Sequence, residues 1–238
     1  MSATSIRLFV TAKLALGETV PGEDGQAHYL ANVMRRAPGD EVVLFNGQDG
    51  EFAAAIAAIS RKSVTLIPIR QLRPQTPEPD CWLCFALLKR AKTDLVVEKA
   101  TELGVSVIQP VITARTQADH VNQDRLRAIA IEAAEQCERL AVPEIRPPLT
   151  LPALLAAWPP GRALYLADER RLAPAARHSA KPSALLVGPE GGFTDAEVEG
   201  IGAHPLVTRV SLGARILRAE TAAIAGLALL LATDPPQE

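Results

Sequence analysis

Two stretches late in the chain have the residue types and spacing to build a ligand site. The first reads Leu185-Leu186-Val187-Gly188-Pro189-Glu190-Gly191-Gly192-Phe193-Thr194, an apolar run broken by glycines. The second runs from Val207 through Ser211-Leu212-Gly213-Ala214-Arg215-Ile216-Leu217-Arg218-Ala219-Glu220-Thr221. Glycines just past a strand let a ligand approach backbone that a Cβ would shield. In α/β sheets ligands gather at the carboxyl ends of strands. Two such loops side by side predict a pocket floored by main-chain N–H and C=O groups. Residues Gly188 to Gly192 carry neither the Lys-Ser/Thr of a phosphate loop nor the G-x-G-x-x-G spacing, so a triphosphate or a dinucleotide is a poor match.

Helices must position both loops. Thr194-Asp195-Ala196-Glu197 has capping-box spacing and predicts a helix from Asp195. Glu220 opens an alanine- and leucine-rich run at the end of a helix where the dipole favours an acid. That run, Ala222 to Ala232, is apolar on nearly all sides, which suits burial in a core or against a second subunit.

Other reactive residue types are less organised. Cys81 and Cys84 match C-x-x-C, but they lie in a run that reads as a strand, where i and i+3 face opposite ways. With Cys137 they make three cysteines, too few for a disulfide framework and without a second pair for zinc. His28, His120, His178 and His204 are scattered without ligand spacing, so no metal site is expected. Lys89-Arg90-Ala91-Lys92 is the densest basic cluster; its place at a strand's carboxyl end makes it a candidate phosphate contact. Glu98 and Glu102 share a helix face with Lys99 and read as an ordinary polar surface. Glu135 and Arg139, four apart, read as an intrahelical ion pair.

The 238 residues suffice for one large or two modest domains. A 48% hydrophobic and 22% charged composition is that of a globular protein. Net charge is −2, so any nucleic-acid contact must use local basic patches. The opening Met1 to Arg7 lacks the apolar core of a signal peptide. Ala222 to Ala232 falls well short of the ~20 residues of a membrane span. Both features point to the cytoplasm. Residues 1–72 read as short strands, Arg7–Val10, Glu41–Asn46, Glu51–Ile59 and Val64–Gln71, with a brief helix at His28–Arg36. Tight polar turns between them suggest a small antiparallel barrel. Residues 73–80 hold three prolines and read as a stiff linker. From Cys81 to the end, residues 81–238, strands and helices alternate in an α/β pattern. Strands are expected at Cys81–Leu88, Val105–Ile112, Arg162–Ala167, Ser183–Val187 and Leu206–Ser211. Helices are expected at Asp94–Leu103, ended by Gly104, and at Asp124–Leu140.

GPEGGFTDAE followed by SLGARILRAETA resembles the C-terminal signature of the RsmE family, the 16S ribosomal RNA uracil-N3 methyltransferases of the SPOUT class. The resemblance extends through His28-Tyr29-Leu30 with Val33-Met34-Arg35, Glu98 to Gly104, and Glu132 to Arg139, and so covers nearly the whole chain. It implies a PUA-like RNA-binding barrel followed by a SPOUT α/β domain with a trefoil knot, dimerising through the knotted helices. It also implies S-adenosylmethionine as methyl donor and N3 of a 16S rRNA uridine near the decoding centre as acceptor. The family's donor pocket carries over onto Gly188, Pro189, Glu190, Gly191 and Gly192, onto Leu212 and Gly213, and onto Ile216, Leu217 and Arg218. Leu166, at the end of the preceding strand, joins them. Phosphate contacts implied for the barrel are Arg7, Arg35 and Arg36, with Lys89, Arg90 and Lys92 from the basic cluster; Arg61 and Lys62 read equally well as solvated turn charges.

The reaction itself makes demands. Uracil N3 must lose a proton before it attacks, and it must be unpaired. A guanidinium at O2 or O4 would stabilise the anion, and Arg218 is the leading candidate. Glu190 either faces the sulfonium or ties down its loop. Alternatives within the same reading are a methyltransferase for another RNA such as tRNA, and a non-catalytic RNA-binding assembly factor; the intact loops argue against the latter.

Overall fold

The computed structural model describes residues 6–116, 121–168, 173–179 and 181–232. Residues 1–5 and His120 of the reading above lie outside them. The chain divides into two compact units, Met1–Pro77 with Ala134–Val142, and Glu78–Ala133 with Pro143–Glu238.

In the first unit five strands form one sheet in the order β1-β3-β4-β5-β2. They are β1 (Arg7–Phe9), β2 (Val20–Pro21), β3 (Glu41–Phe45), β4 (Glu51–Ile59) and β5 (Val64–Arg73). The hairpins β3–β4 and β4–β5 are antiparallel, as their short polar turns require, and β2 pairs antiparallel with β5. The expectation of a purely antiparallel sheet fails at β1, which runs parallel to β3. A long connection separates those two strands, and only long connections can join parallel neighbours. β5 continues past Gln71 to Arg73, because Arg73 pairs opposite Glu51 and bonds its carboxylate. Alternate residues Leu8, Val42, Leu44, Ala54, Ile56 and Leu66 form the core.

The helix expected at His28–Arg36 starts and stops earlier. A short α1 (Gln26–His28) widens into a π-helical turn, Tyr29–Val33. Arg35 then takes a left-handed φ of 54°, which ends the helix, and the Arg36 N–H returns to the Leu30 carbonyl at 2.8 Å.

The second unit is a parallel sheet in the order β12-β10-β11-β6-β7-β8, with β9 also on β7. Its strands are β6 (Cys81–Ala86), β7 (Val107–Ile112), β8 (Glu144–Ile145), β9 (Leu149–Thr150), β10 (Ala163–Ala167), β11 (Ser183–Val187) and β12 (Val207–Val210). Its helices are α2 (Arg90–Leu103), α3 (Gln123–Gln136), α4 (Leu151–Ala156), α5 (Asp195–Gly202) and α6 (Ala219–Leu231). β11 is buried along its whole length, as a central parallel strand covered on both faces must be. Cys81 and Cys84 on neighbouring β6 are buried too, and burial pushes their thiols up to about 11 and about 12. They are small apolar residues of the core rather than a reactive pair.

Two helix boundaries differ from the sequence expectation. α2 begins four residues before Asp94, so Lys89 is its N-cap and Arg90 and Lys92 lie in its first turn rather than in an open turn. Gly104 ends it with a φ of 97°, as expected. α3 stops at Gln136, and Glu138 has a left-handed φ of 61°. Arg139 therefore lies beyond the end of the helix. Glu135 accepts the Phe9 N–H at 2.9 Å. Lys99 bonds both Glu98 and Glu102, the polar face anticipated.

α6 packs on α2, β11 and β6. Gly226 permits the close approach, since a Cβ there would stand 2.6 Å from Leu185 Cδ2.

Candidate active site

β10 lies between β11 and β12, so the loops leaving the carboxyl ends of these strands flank the end of β10. Together they enclose a cavity of about 380 Å³, within the ~300–1,000 Å³ range of small-molecule sites.

The loop after β11 supplies Gly188, Pro189, Glu190, Gly192 and Phe193. Its shape has local causes. The Gly192 N–H closes a tight turn on the Pro189 carbonyl at 2.9 Å, with Gly192 at a φ of 68°. The Phe193 ring folds back beneath Gly188, where a Cβ would come within 2.9 Å of it. α5 then starts at Asp195 with the expected capping box: Thr194 Oγ1 accepts from Glu197 N–H, and Glu197 accepts from Thr194 N–H at 2.8 Å. The other oxygen of Glu197 accepts from Ala114 N–H at 2.8 Å.

The loop after β12 supplies Leu212, Gly213, Ile216, Leu217 and Arg218, with Gly213 at a φ of 118° and Arg218 as the N-cap of α6. Leu166 at the end of β10 completes the group that the sequence placed together. Gly191 is the exception. Its Cβ position faces Arg115 at 3.3 Å rather than the cavity, and its carbonyl accepts from Arg115 Nη1 at 2.6 Å.

Several lining residues escaped the sequence reading. Asp168, two positions beyond Leu166, lines the cavity and pairs with Arg209 at 3.6 Å. Val187, Phe193 and Arg215 belong to the two stretches already singled out and were within reach of the same reasoning. Lys92 was a candidate phosphate contact, but its place at this cavity was not anticipated, because it comes from a distant segment. Its Nζ lies 3.2 Å from Glu190 Oε1 and 3.4 Å from Glu220 Oε1. Glu190 is thus an ion-paired loop residue.

The cationic candidates separate sharply. Arg218 and Arg215 are exposed at the cavity and have no side-chain partner among the described residues. Arg7 is buried. Its guanidinium bonds Glu51 at 2.8 Å and the carbonyls of Ala134, Glu135 and Arg139, and it stacks on Phe45 at 4.4 Å. Four of its five N–H groups are committed and the residue is buried, so the expected role of Arg7 as an RNA contact is withdrawn. Arg35, Lys89 and Arg90 are exposed, and Arg36 is half-buried beside Asp40 at 4.0 Å.

The cavity suits the implied methyl donor. Leu166, Val187, Phe193, Leu212, Ile216 and Leu217 offer apolar surface for a nucleoside, and the two glycine loops bring main-chain groups. Among the described residues no cluster of His, Cys, Asp and Glu could hold a metal ion.

The stretch that forms this parallel sheet and both glycine loops is an RNA methyltransferase domain: the family model of that description matches residues 75–231. A second model, the RNA methyltransferase PUA domain, matches residues 23–69. A Rickettsia conorii protein, ribosomal RNA small subunit methyltransferase E, is 35% identical over 229 residues, covering 93% of each chain. The crystal structure of the Neisseria gonorrhoeae ribosomal RNA small subunit methyltransferase E bound to S-adenosylmethionine superposes with a TM-score of 0.86, at 28% identity, over 94% of this chain and 95% of that one. A Legionella pneumophila putative methyltransferase in complex with S-adenosylmethionine gives 0.85, at 29% identity, over 95% and 96%. The chain belongs to the ribosomal RNA small subunit methyltransferase E family.

Proposed function

We propose that this protein methylates N3 of a uridine in 16S ribosomal RNA near the decoding centre, with S-adenosylmethionine as donor. The observation that carries the reading is the cavity in which both glycine loops meet, with Arg218, unpartnered among the described residues, at its rim. Leu166, Leu212, Ile216 and Leu217 hold the apolar part of the donor, and Gly188, Gly192 and Gly213 leave their main chain open to it. When bound, the donor supplies an electrophilic methyl group. Arg218 lies against uracil O2 or O4 and stabilises the anion left when N3 gives up its proton. Most of the rate comes from alignment of the reacting atoms.

The first unit grips RNA, with Arg35 and Arg36 among its phosphate contacts and Lys89 and Arg90 adding to them from α2. The enzyme works as a homodimer in the cytoplasm, its C-terminal segment knotted. No helix among the described residues is long and apolar enough to cross a membrane.

The test is incubation with labelled S-adenosylmethionine and small ribosomal subunits from a strain lacking the enzyme, followed by nucleoside analysis. Label in N3-methyluridine of 16S rRNA is expected. Label in another nucleoside or another RNA would overturn the assignment.

A further inference from the structure

Lys92 is a costly residue where it stands. The first turn of a helix disfavours a cation, and α2 carries Lys89, Arg90 and Lys92 there with no acidic residue to offset them. The compensation comes from elsewhere in the second unit. Glu190, from the loop after β11, and Glu220, from the first turn of α6, each direct one oxygen at the Lys92 ammonium, at 3.2 and 3.4 Å. One side chain thereby joins three elements around the cavity that it also lines. Glu220 depends on the arrangement: its side chain is 12% exposed and its Oε2 is buried without a hydrogen-bond partner. The loop's other tether, Arg115, holds it at Gly191, which does not line the cavity.

We propose that Lys92 is a positioning residue: its ammonium, shared between Glu190 and Glu220, clamps the Gly188–Phe193 loop to the start of α6 in the shape that receives the donor. This rests on the reading of the cavity as the S-adenosylmethionine site, and it replaces the expected contact of Lys92 with an RNA phosphate. Without the ammonium, the two carboxylates lose the cation they share, and their mutual repulsion loosens the loop.

Four variants decide it: Lys92→Met, Lys92→Arg, Glu190→Gln and the double variant Lys92→Met/Glu190→Gln. The ligand-free readout is hydrogen exchange at the Gly192 amide, which bonds the Pro189 carbonyl; the second is calorimetry with S-adenosylmethionine. Lys92→Met should speed Gly192 exchange and weaken donor binding about tenfold, the equivalent of ~1.4 kcal/mol. Lys92→Arg should keep both near wild type. The double variant should match Glu190→Gln and exceed Lys92→Met in affinity, because the repulsion is gone. Should Lys92→Met not fold, faster Gly192 exchange in Glu190→Gln supports the clamp and unchanged exchange overturns it. Unchanged exchange in Lys92→Met, or a double variant no better than Lys92→Met, overturns the proposal. So does intact donor binding with weaker RNA binding and a shallower salt dependence, the mark of a phosphate contact. If the wild type itself fails to bind S-adenosylmethionine, the reading of the cavity falls, while Gly192 exchange still judges the clamp.

Discussion

Arg7, in the first unit, and Arg218, at the cavity of the second, carry the same head group into opposite surroundings. Arg7 is 9% exposed and spends its donors on Glu51 and three backbone carbonyls. Arg218 is exposed, and its guanidinium bonds nothing among the described residues. A guanidinium satisfied in this way serves stability. One left open beside a cavity is available to a ligand, because a charge-assisted bond there replaces only water. Charge and position in the sequence do not separate the two cases, and both were candidates for contact with RNA or its bases.

The sharpest way to break the contrast is Arg7→Ala. It leaves Glu51 with Arg73 alone and strands buried carbonyls, so unfolding in urea should show a loss of about 3–5 kcal/mol. A loss well under ~1 kcal/mol would place Arg7 with surface ion pairs. Arg218→Ala should do the reverse, leaving stability and donor binding unchanged while single-turnover methyl transfer falls about 10²–10³-fold. Full activity would remove Arg218 from the chemistry.

A weaker contrast lies within the loop after β11. Gly192 is left-handed and lines the cavity, and a residue with a side chain there is strained by about 1–2 kcal/mol. Gly192→Val should thus weaken S-adenosylmethionine binding about tenfold by calorimetry. Gly191→Val meets only the flexible Arg115 side chain and should weaken it less. Equal losses would mean that the path of the loop matters more than its lining.

Titration gives the smallest effect. Burial would raise the Glu51 carboxyl, but the Arg73 and Arg7 guanidiniums outweigh it and hold it below the usual range. Hydrogen bonding from Arg162 likewise holds Asp80 down. Carboxylates depressed on folding stabilise the protein fully above their unfolded values, about 4. That contribution drains away as pH falls through the lower folded values. Urea stability should decline below about pH 4, and Glu51→Gln should lower the plateau and flatten that decline. An undiminished slope in the variant would assign the acid sensitivity to other groups.

What the sequence disclosed follows the reach of the interactions involved. The start of α5, the Gly104 stop of α2, and β4 and β11 each rest on residues a few positions apart, and they emerged at the expected places. So did the meeting of the two glycine loops, since strand ends in a parallel sheet share one edge. Long-range partners stayed hidden. Arg7 finds its acceptors 44 to 132 residues away, and Lys92 finds Glu190 98 residues away. The early start of α2 was masked because a run of bases reads as a turn until its counter-charges are known. β8, β9 and α4 were missed because two- to six-residue elements in a proline-bearing stretch carry no periodicity.

The inclusion of Ala134–Val142 in the first unit bears on how that unit comes into being. Its earliest strand needs acceptors that leave the ribosome much later, so folding during synthesis cannot finish when the fifth strand emerges. A gene fragment cut at the prolines would encode a body with Arg7 facing vacated acceptors and Phe9 N–H without the Glu135 carboxylate. Anyone wishing to study that body in isolation would have to graft the later peptide back onto it.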